Sequence, residues 1–126
     1  MSKRYVEYIL VNKDLGMSVG KIAGQVAHGQ TLIDNFIFIE DPRDDEALYD
    51  AYVTYVKWLS SGQKKVILRA NESKLKEAIK LGGIPVYDHG LTEIPENSLT
   101  VVGFMPRYED GSEDDFKKFI KRFQLL

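Results

Sequence analysis

Apolar positions follow two rhythms along the chain. Arg4 to Val11 (RYVEYILV) and Lys65 to Ala70 (KVILRA) are nearly continuous runs of β-branched, aromatic and aliphatic residues, the pattern of strands covered on both faces. Ile84 to Tyr87 and Leu99 to Met105 read as two further strands. The intervening segments change to helical spacing. Ser18 is a good N-cap for a helix from about Val19 to Phe38. Asp41 to Asp45 (DPRDD) breaks the chain and starts a second helix to about Leu59, in which Leu48, Tyr52, Tyr55 and Leu59 recur on one side. Asn71 caps a short helix through Leu81 that ends at Gly82 and Gly83. The last helix is expected from Ser112, where Ser-Glu-Asp-Asp resembles a capping box, with Phe116, Phe119, Ile120 and Phe123 on one face.

The order β-α-α-β-α-β-β-α predicts an α/β fold: a small single domain over residues 1–126, with four strands in a mixed sheet and helices on both faces. The third and fourth strands are joined without a helix, so they are expected to be antiparallel or not adjacent. In the first helix, Ala23, Gly24 and Ala27 would let a sheet or another subunit approach the backbone closely.

Composition narrows the possibilities. The 126 residues are 44% hydrophobic and 29% charged, as in soluble globular proteins, and suffice for one core without disulfides. There is no Cys, which removes thiol nucleophiles, redox motifs and Cys-based zinc sites and fits a reducing compartment. Met1 to Arg4 leads straight into a strand-like run and no apolar stretch approaches a membrane span, so a cytoplasmic protein is expected. With 17 basic and 19 acidic residues the net charge is -2, which argues against indiscriminate coating of nucleic acid. Lys64 and Lys65, and Lys117, Lys118, Lys121 and Arg122 opposite the Phe face of the last helix, are the dense basic groupings; a solvated face is expected, with phosphate contact as the alternative.

Candidate chemistry gathers in the first helix. Lys21, Gln25 and His28 are spaced i, i+4 and i+7 and share one face. Alone, that stripe is a solvated helix edge. Ligands in open α/β sheets collect at the carboxyl ends of strands, however, and if the first and third strands are parallel the loops before Lys21 and after Tyr87 meet there. Asp88, Thr92 and Thr100 would then converge with Lys21 and His28. Gly16-Met17-Ser18-Val19-Gly20 matches the G-x-S-x-G nucleophile pattern, but the acid and base of a triad are missing in usable positions, and Ser18 reads as a helix cap. His28 and His89, the two histidines, stand in no metal-ligand spacing, and neither a Walker loop nor a dinucleotide fingerprint is present.

Val11 to Gly29, with Asp14-Leu15, Met17, Gly20-Lys21-Ile22-Ala23, Gln25 and His28, resembles the first-helix signature of the type II peptidyl-tRNA hydrolases. Trp58, Gly62 and Lys65-Val66-Ile67-Leu68 are similar to the start of that family's second strand. Gly83-Ile84-Pro85, Tyr87, Asp88, Gly90, Thr92, Ile94, Pro95, Ser98, Thr100-Val101-Val102-Gly103 and Pro106 continue the likeness in order. The resemblance implies a small α/β domain with a four-stranded mixed sheet, commonly a homodimer. It also implies metal-independent, cofactor-free hydrolysis of the ester between a peptide and tRNA. It places the active-site positions on Lys21, His28, Asp88, Thr92 and Thr100, with Gln25, Gly20 and Gly90 expected to shape substrate binding. The chain departs from the family pattern at Val19, Leu91 and Glu93, each change lowering positive charge near the expected tRNA site. Ester hydrolysis at this cluster, with His28 or Asp88 as the base, is therefore the expected function. A noncatalytic RNA- or protein-binding module, or a hydrolase of another acyl ester, is the alternative.

Overall fold

A computed structural model of the chain describes residues 4–39, 45–90 and 93–126. Its sheet is built on β1 (Arg4–Asn12), paired in parallel with β2 (Lys65–Ala70) on one side and antiparallel with β4 (Leu99–Gly103) on the other. Beyond β4 lies β3 (Ile84–Tyr87), antiparallel to it and so parallel to β1. The strand arrangement that brings the expected site loops to one edge is therefore present.

Two short strands extend this framework to six. β5 (Arg107–Glu109) pairs with the start of β1, and β6 (Gln124–Leu125) pairs with β2. Neither was expected, because three and two residues are too few for an apolar period to show. β6 is also exposed on both residues.

The alternation along β1 sorts the helices to the two faces. Val6, Tyr8 and Leu10 pack with Leu75 and Ala78 of α3 (Glu72–Lys80) and with Phe119 and Ile120 of α4 (Asp115–Ile120). On the other face Ile9 and Val11 meet Ile22 and Val26 of α1 (Val19–Ile39). Further along, Ile33 and Ile37 pack with Tyr55 and Trp58 of α2 (Glu46–Ser60). Gly29 allows α1 to lie close to the sheet, since a Cβ there would stand 3.2 Å from Val101 Cγ1. Ala23, Gly24 and Ala27 are exposed instead, so the small-residue stripe faces away from the sheet. The side packed on the sheet carries Gln25, Gly29, Ile33 and Ile37 at i, i+4 spacing.

The caps follow the expected chemistry at Ser18 and Asn71, whose side chains accept from the Lys21 and Lys74 amides. The last helix differs. Its cap is Asp114, which accepts from the Lys117 amide, while Ser112 bonds to Asp110 in the preceding turn. Lys117 differs too: its ammonium reaches the Tyr8 hydroxyl at 2.9 Å and the buried Glu109 carboxylate at 3.2 Å, and Lys121 pairs with Glu113. Two of the four cations expected on a solvated face, Lys117 and Lys121, are thus paired with acids.

Glu7, on the face of β1 covered by α1 and α2, is fully buried and neither carboxyl oxygen has a hydrogen-bond partner among the described residues. Burial pushes its pKa up to about 7, with Gln30 and Lys65 opposing and Asp34 adding to the rise. Asp34 itself accepts from Tyr55 Oη at 2.7 Å and from Gln30 Nε2 at 2.9 Å, which leaves the Gln30 carbonyl oxygen without a donor. A protonated Glu7 is the state that suits this surrounding. Unfolded Glu7 ionises above about pH 4.5 whereas the folded residue holds its proton up to about 7, so stability falls as pH rises through that window. Glu7→Gln should raise stability at pH 8 by about 2 kcal/mol and flatten the pH dependence. Urea denaturation at pH 5 and pH 8 checks this; equal loss of stability in the variant at both pH values would contradict it.

Candidate active site

Asp88 leaves the end of β3 at the edge where α1 begins. The β3–β4 pairing extends past the strands through Asp88 N–H to Ser98 O at 2.9 Å and Asn97 N–H to Asp88 O at 2.7 Å, which fixes the backbone that carries the carboxyl group. Gly90 then turns the chain with φ 74°, and a Cβ there would lie 2.4 Å from Glu96 Cα. Only glycine suits that turn without backbone displacement.

The turn directs Gly90 N–H onto Asp88 Oδ2 at 2.8 Å. Asp88 Oδ1 accepts from Lys21 Nζ and from Gln25 Nε2, each at 3.0 Å. Gln25 is buried, and its carbonyl oxygen accepts from Thr100 Oγ1 at 2.6 Å, while Val86 O lies 3.3 Å from the same hydroxyl. Thr100 is also fully buried. Its hydroxyl thus acts on Asp88 through the Gln25 amide. The Lys21 ammonium beside Asp88 holds its carboxyl below the usual range; partial burial opposes this, and Gly90 and Gln25 assist it.

His28 lies two turns along α1 from Lys21, exposed. It lines a cavity of about 190 Å³ with Thr31, Leu32, Val86, Tyr87, Asp88 and His89. His28 and Asp88 therefore share one cavity wall without a hydrogen bond between them among the described contacts. The cavity sets an exposed imidazole, an ionised carboxylate and the apolar Leu32 and Val86 around one space, with the Lys21 ammonium bonded to that carboxylate.

The other expected residues are placed as follows. Gly20 is exposed in the first turn of α1, with open space where its side chain would be. The Gly90 amide is engaged by Asp88. Thr92 and Leu91 lie outside the described residues. Ser18 caps α1 while its hydroxyl donates to Glu93 Oε1 at 2.6 Å, and its amide donates to Glu93 Oε2 at 3.1 Å. The G-x-S-x-G serine is thus committed to structure. Glu93 is held below the usual carboxylate range by the Ser18 hydroxyl and amide, and joins the loop after β3 to the start of α1. This link was missed in the sequence because Ser18 and Glu93 are 75 positions apart and each reads locally as a turn or cap residue. His89 was missed as a cavity residue, since on an extended segment neighbouring side chains point apart, yet it lines the same cavity as Asp88. Among the described residues, no three His, Cys, Asp or Glu are grouped to hold a metal ion.

Comparison with known proteins gives a family model described as Peptidyl-tRNA hydrolase PTH2 that matches residues 5–126. Three archaeal relatives carry the name peptidyl-tRNA hydrolase. The protein of Thermococcus onnurineus is 38% identical over 85% of this chain and 88% of its own. That of Thermococcus sibiricus is 32% identical over 98% of each chain. That of Methanococcus vannielii is 30% identical over 97% of this chain and 99% of its own.

Replacing Thr100 by Val keeps the volume but leaves the buried Gln25 carbonyl without its donor, which should lower stability by about 1–3 kcal/mol. Thr100→Ser should recover most of the loss. Denaturant midpoints of the two variants measure this, and an unchanged midpoint in Thr100→Val would show that the Gln25 bridge carries no load.

Proposed function

Because the chain belongs to the PTH2 family of peptidyl-tRNA hydrolases, we propose that it hydrolyses the ester joining a peptide, or an N-blocked amino acid, to tRNA and so returns free tRNA. The observation that carries the site assignment is the three-way fixing of Asp88 by Lys21, Gln25 and Gly90 beside a cavity that His28 lines. The catalytic set is Lys21, His28 and Asp88, with Thr92 included on the family likeness. Gln25 and Thr100 are positioning residues, and Gly90 gives the turn that aims Asp88. Gly20 borders the substrate path at the start of α1.

A carboxylate held ionised by a bound ammonium is a weak proton acceptor, whereas the His28 imidazole lines the cavity exposed, and imidazole is the side chain most often used as a general base. His28 is therefore the general base. It takes a proton from water as the water oxygen bonds to the ester carbonyl carbon. The resulting oxyanion is stabilised by the Lys21 ammonium. Collapse of this intermediate breaks the bond to the ribose oxygen, which leaves with a proton from the imidazolium. Asp88 keeps Lys21 at the site and offers an acceptor that orients the water.

The reading includes a single catalytic domain, metal independence, a cytoplasmic location and a homodimer. The exposed Ala23, Gly24 and Ala27, with exposed Leu32 and Phe36 further along α1, support the dimer. No helix among the described residues is long and apolar enough to cross a membrane.

Release of the blocked amino acid from N-acetyl-aminoacyl-tRNA should proceed equally with and without a chelator. His28→Ala should lower kcat by about 10²–10⁴-fold with the fold intact, and Asp88→Ala should remove most turnover. Full activity in both variants would overturn the site assignment, and tRNA binding without cleavage would overturn the activity.

A further inference from the structure

Several of the described cations are answered by nearby acids: Lys117 by Glu109, Lys121 by Glu113, Lys76 by Glu72 and Arg107 by Asp114. A second cavity, of about 290 Å³, departs from that pattern. Lys13, Arg69, Lys74 and Arg122 line it together with Phe123. They arrive from four segments: the turn after β1, the end of β2, the start of α3 and the residues after α4. Only Lys74 has a carboxylate partner among the described residues, Glu77 at 3.0 Å. The Arg69 guanidinium donates to the Gln124 side-chain carbonyl, a neutral group that orients the fork and leaves its charge uncompensated. Asp14 and Glu72 stand at the same end of the sheet, where Asp14 accepts the Glu72 amide at 2.9 Å and Glu72 pairs with Lys76, and neither lines the cavity.

Four converging cations on a chain of net charge -2 are a site for a dense anion. Guanidinium forks and ammonium groups suit phosphate oxygens, and a ring in the wall adds a stacking surface for a base. The position of the cavity ties it to the active site. Asn12 at the end of β1 pairs with Ala70 of β2, and its side-chain amide donates to Leu99 O at 2.8 Å, next to Thr100. The two cavities therefore open on one edge of the sheet. Within the sheet β3 and β2 are three strand spacings apart, about 14 Å, and the cavities lie toward its two faces, one against α1 and the other against α3 and the residues after α4, so a backbone of a few nucleotides would cross the edge between them.

We propose that Lys13, Arg69, Lys74 and Arg122 form a binding site for the sugar-phosphate backbone of the tRNA substrate, a few nucleotides from the ester held at Asp88 and His28. The proposal rests on the hydrolase reading for the identity of the RNA.

The test measures binding of deacylated tRNA against salt for the wild type, Lys13→Ala/Arg122→Ala, Arg69→Ala and a control, Lys57→Ala/Lys80→Ala, on α2 and the end of α3, outside the cavity. The slope of log affinity against log salt should fall by about 0.7 for each contact removed, with about fivefold weaker binding in the first double variant. The control should match the wild type. In turnover, KM for N-acetyl-aminoacyl-tRNA should rise with kcat unchanged, and cleavage of the same blocked amino acid from adenosine alone should stay at the wild-type rate. Wild-type slopes in the cavity variants, or an equal fall in the control, would overturn the site. Failure of the wild type to cleave would contradict the hydrolase reading, while the binding slopes would still decide the cavity.

Discussion

A carboxylate at the edge of a sheet is free to rotate unless donors reach it from more than one direction, and Asp88 receives them from three. Lys21 brings charge from the first turn of α1, Gln25 brings an amide from the next turn, and Gly90 brings a backbone N–H from the loop that Asp88 starts. Gln25 is fixed in turn by Thr100, so the orientation of a partly buried carboxylate is set by a hydroxyl in the core. The packing of α1 on the sheet through Gly29 and the antiparallel β3–β4 pairing serve the same constraint, because both sides of this bridge must keep their spacing.

Charge is handled in opposite ways at different depths. At the edge, Asp88 is kept ionised by an adjacent ammonium. Under α1 and α2, Glu7 has no described donor and holds its proton to about pH 7. Along the same edge as Asp88, four cations gather around the cavity by β2, of which Lys74 alone has a described carboxylate partner. One small sheet thus offers a fixed anion, a neutral buried acid and a cationic groove, and two of the three lie where a polyanionic substrate with a reactive end would be laid.

Much of this was legible in the sequence, for reasons that can be located. The continuous apolar runs at β1 and β2 announced buried strands, and Ser18 and Asn71 announced helix starts. The i, i+4 relation of Lys21 and Gln25 placed both on the side that meets Asp88. What stayed hidden depends on distant pairings. β5 and β6 exist because β1 and β2 offer them partners, not because of their own pattern. Lys117 read as solvated because Glu109, its acid, is buried through contacts with Tyr8 and Arg4 that sequence spacing does not reveal. Lys13, Arg69, Lys74 and Arg122 form no run in the chain, and they meet only once β2 and the residues after α4 are joined.

The central claim is that Lys21 and Asp88 act as one unit in ester hydrolysis. A double-mutant cycle on kcat/KM for N-acetyl-aminoacyl-tRNA, using Lys21→Met, Asp88→Asn and the pair, tests it most directly. Residues acting as a unit should be strongly non-additive, with the double variant about as slow as the slower single one. A double variant whose loss equals the product of the two single losses would mean that the groups act independently, and would contradict the account.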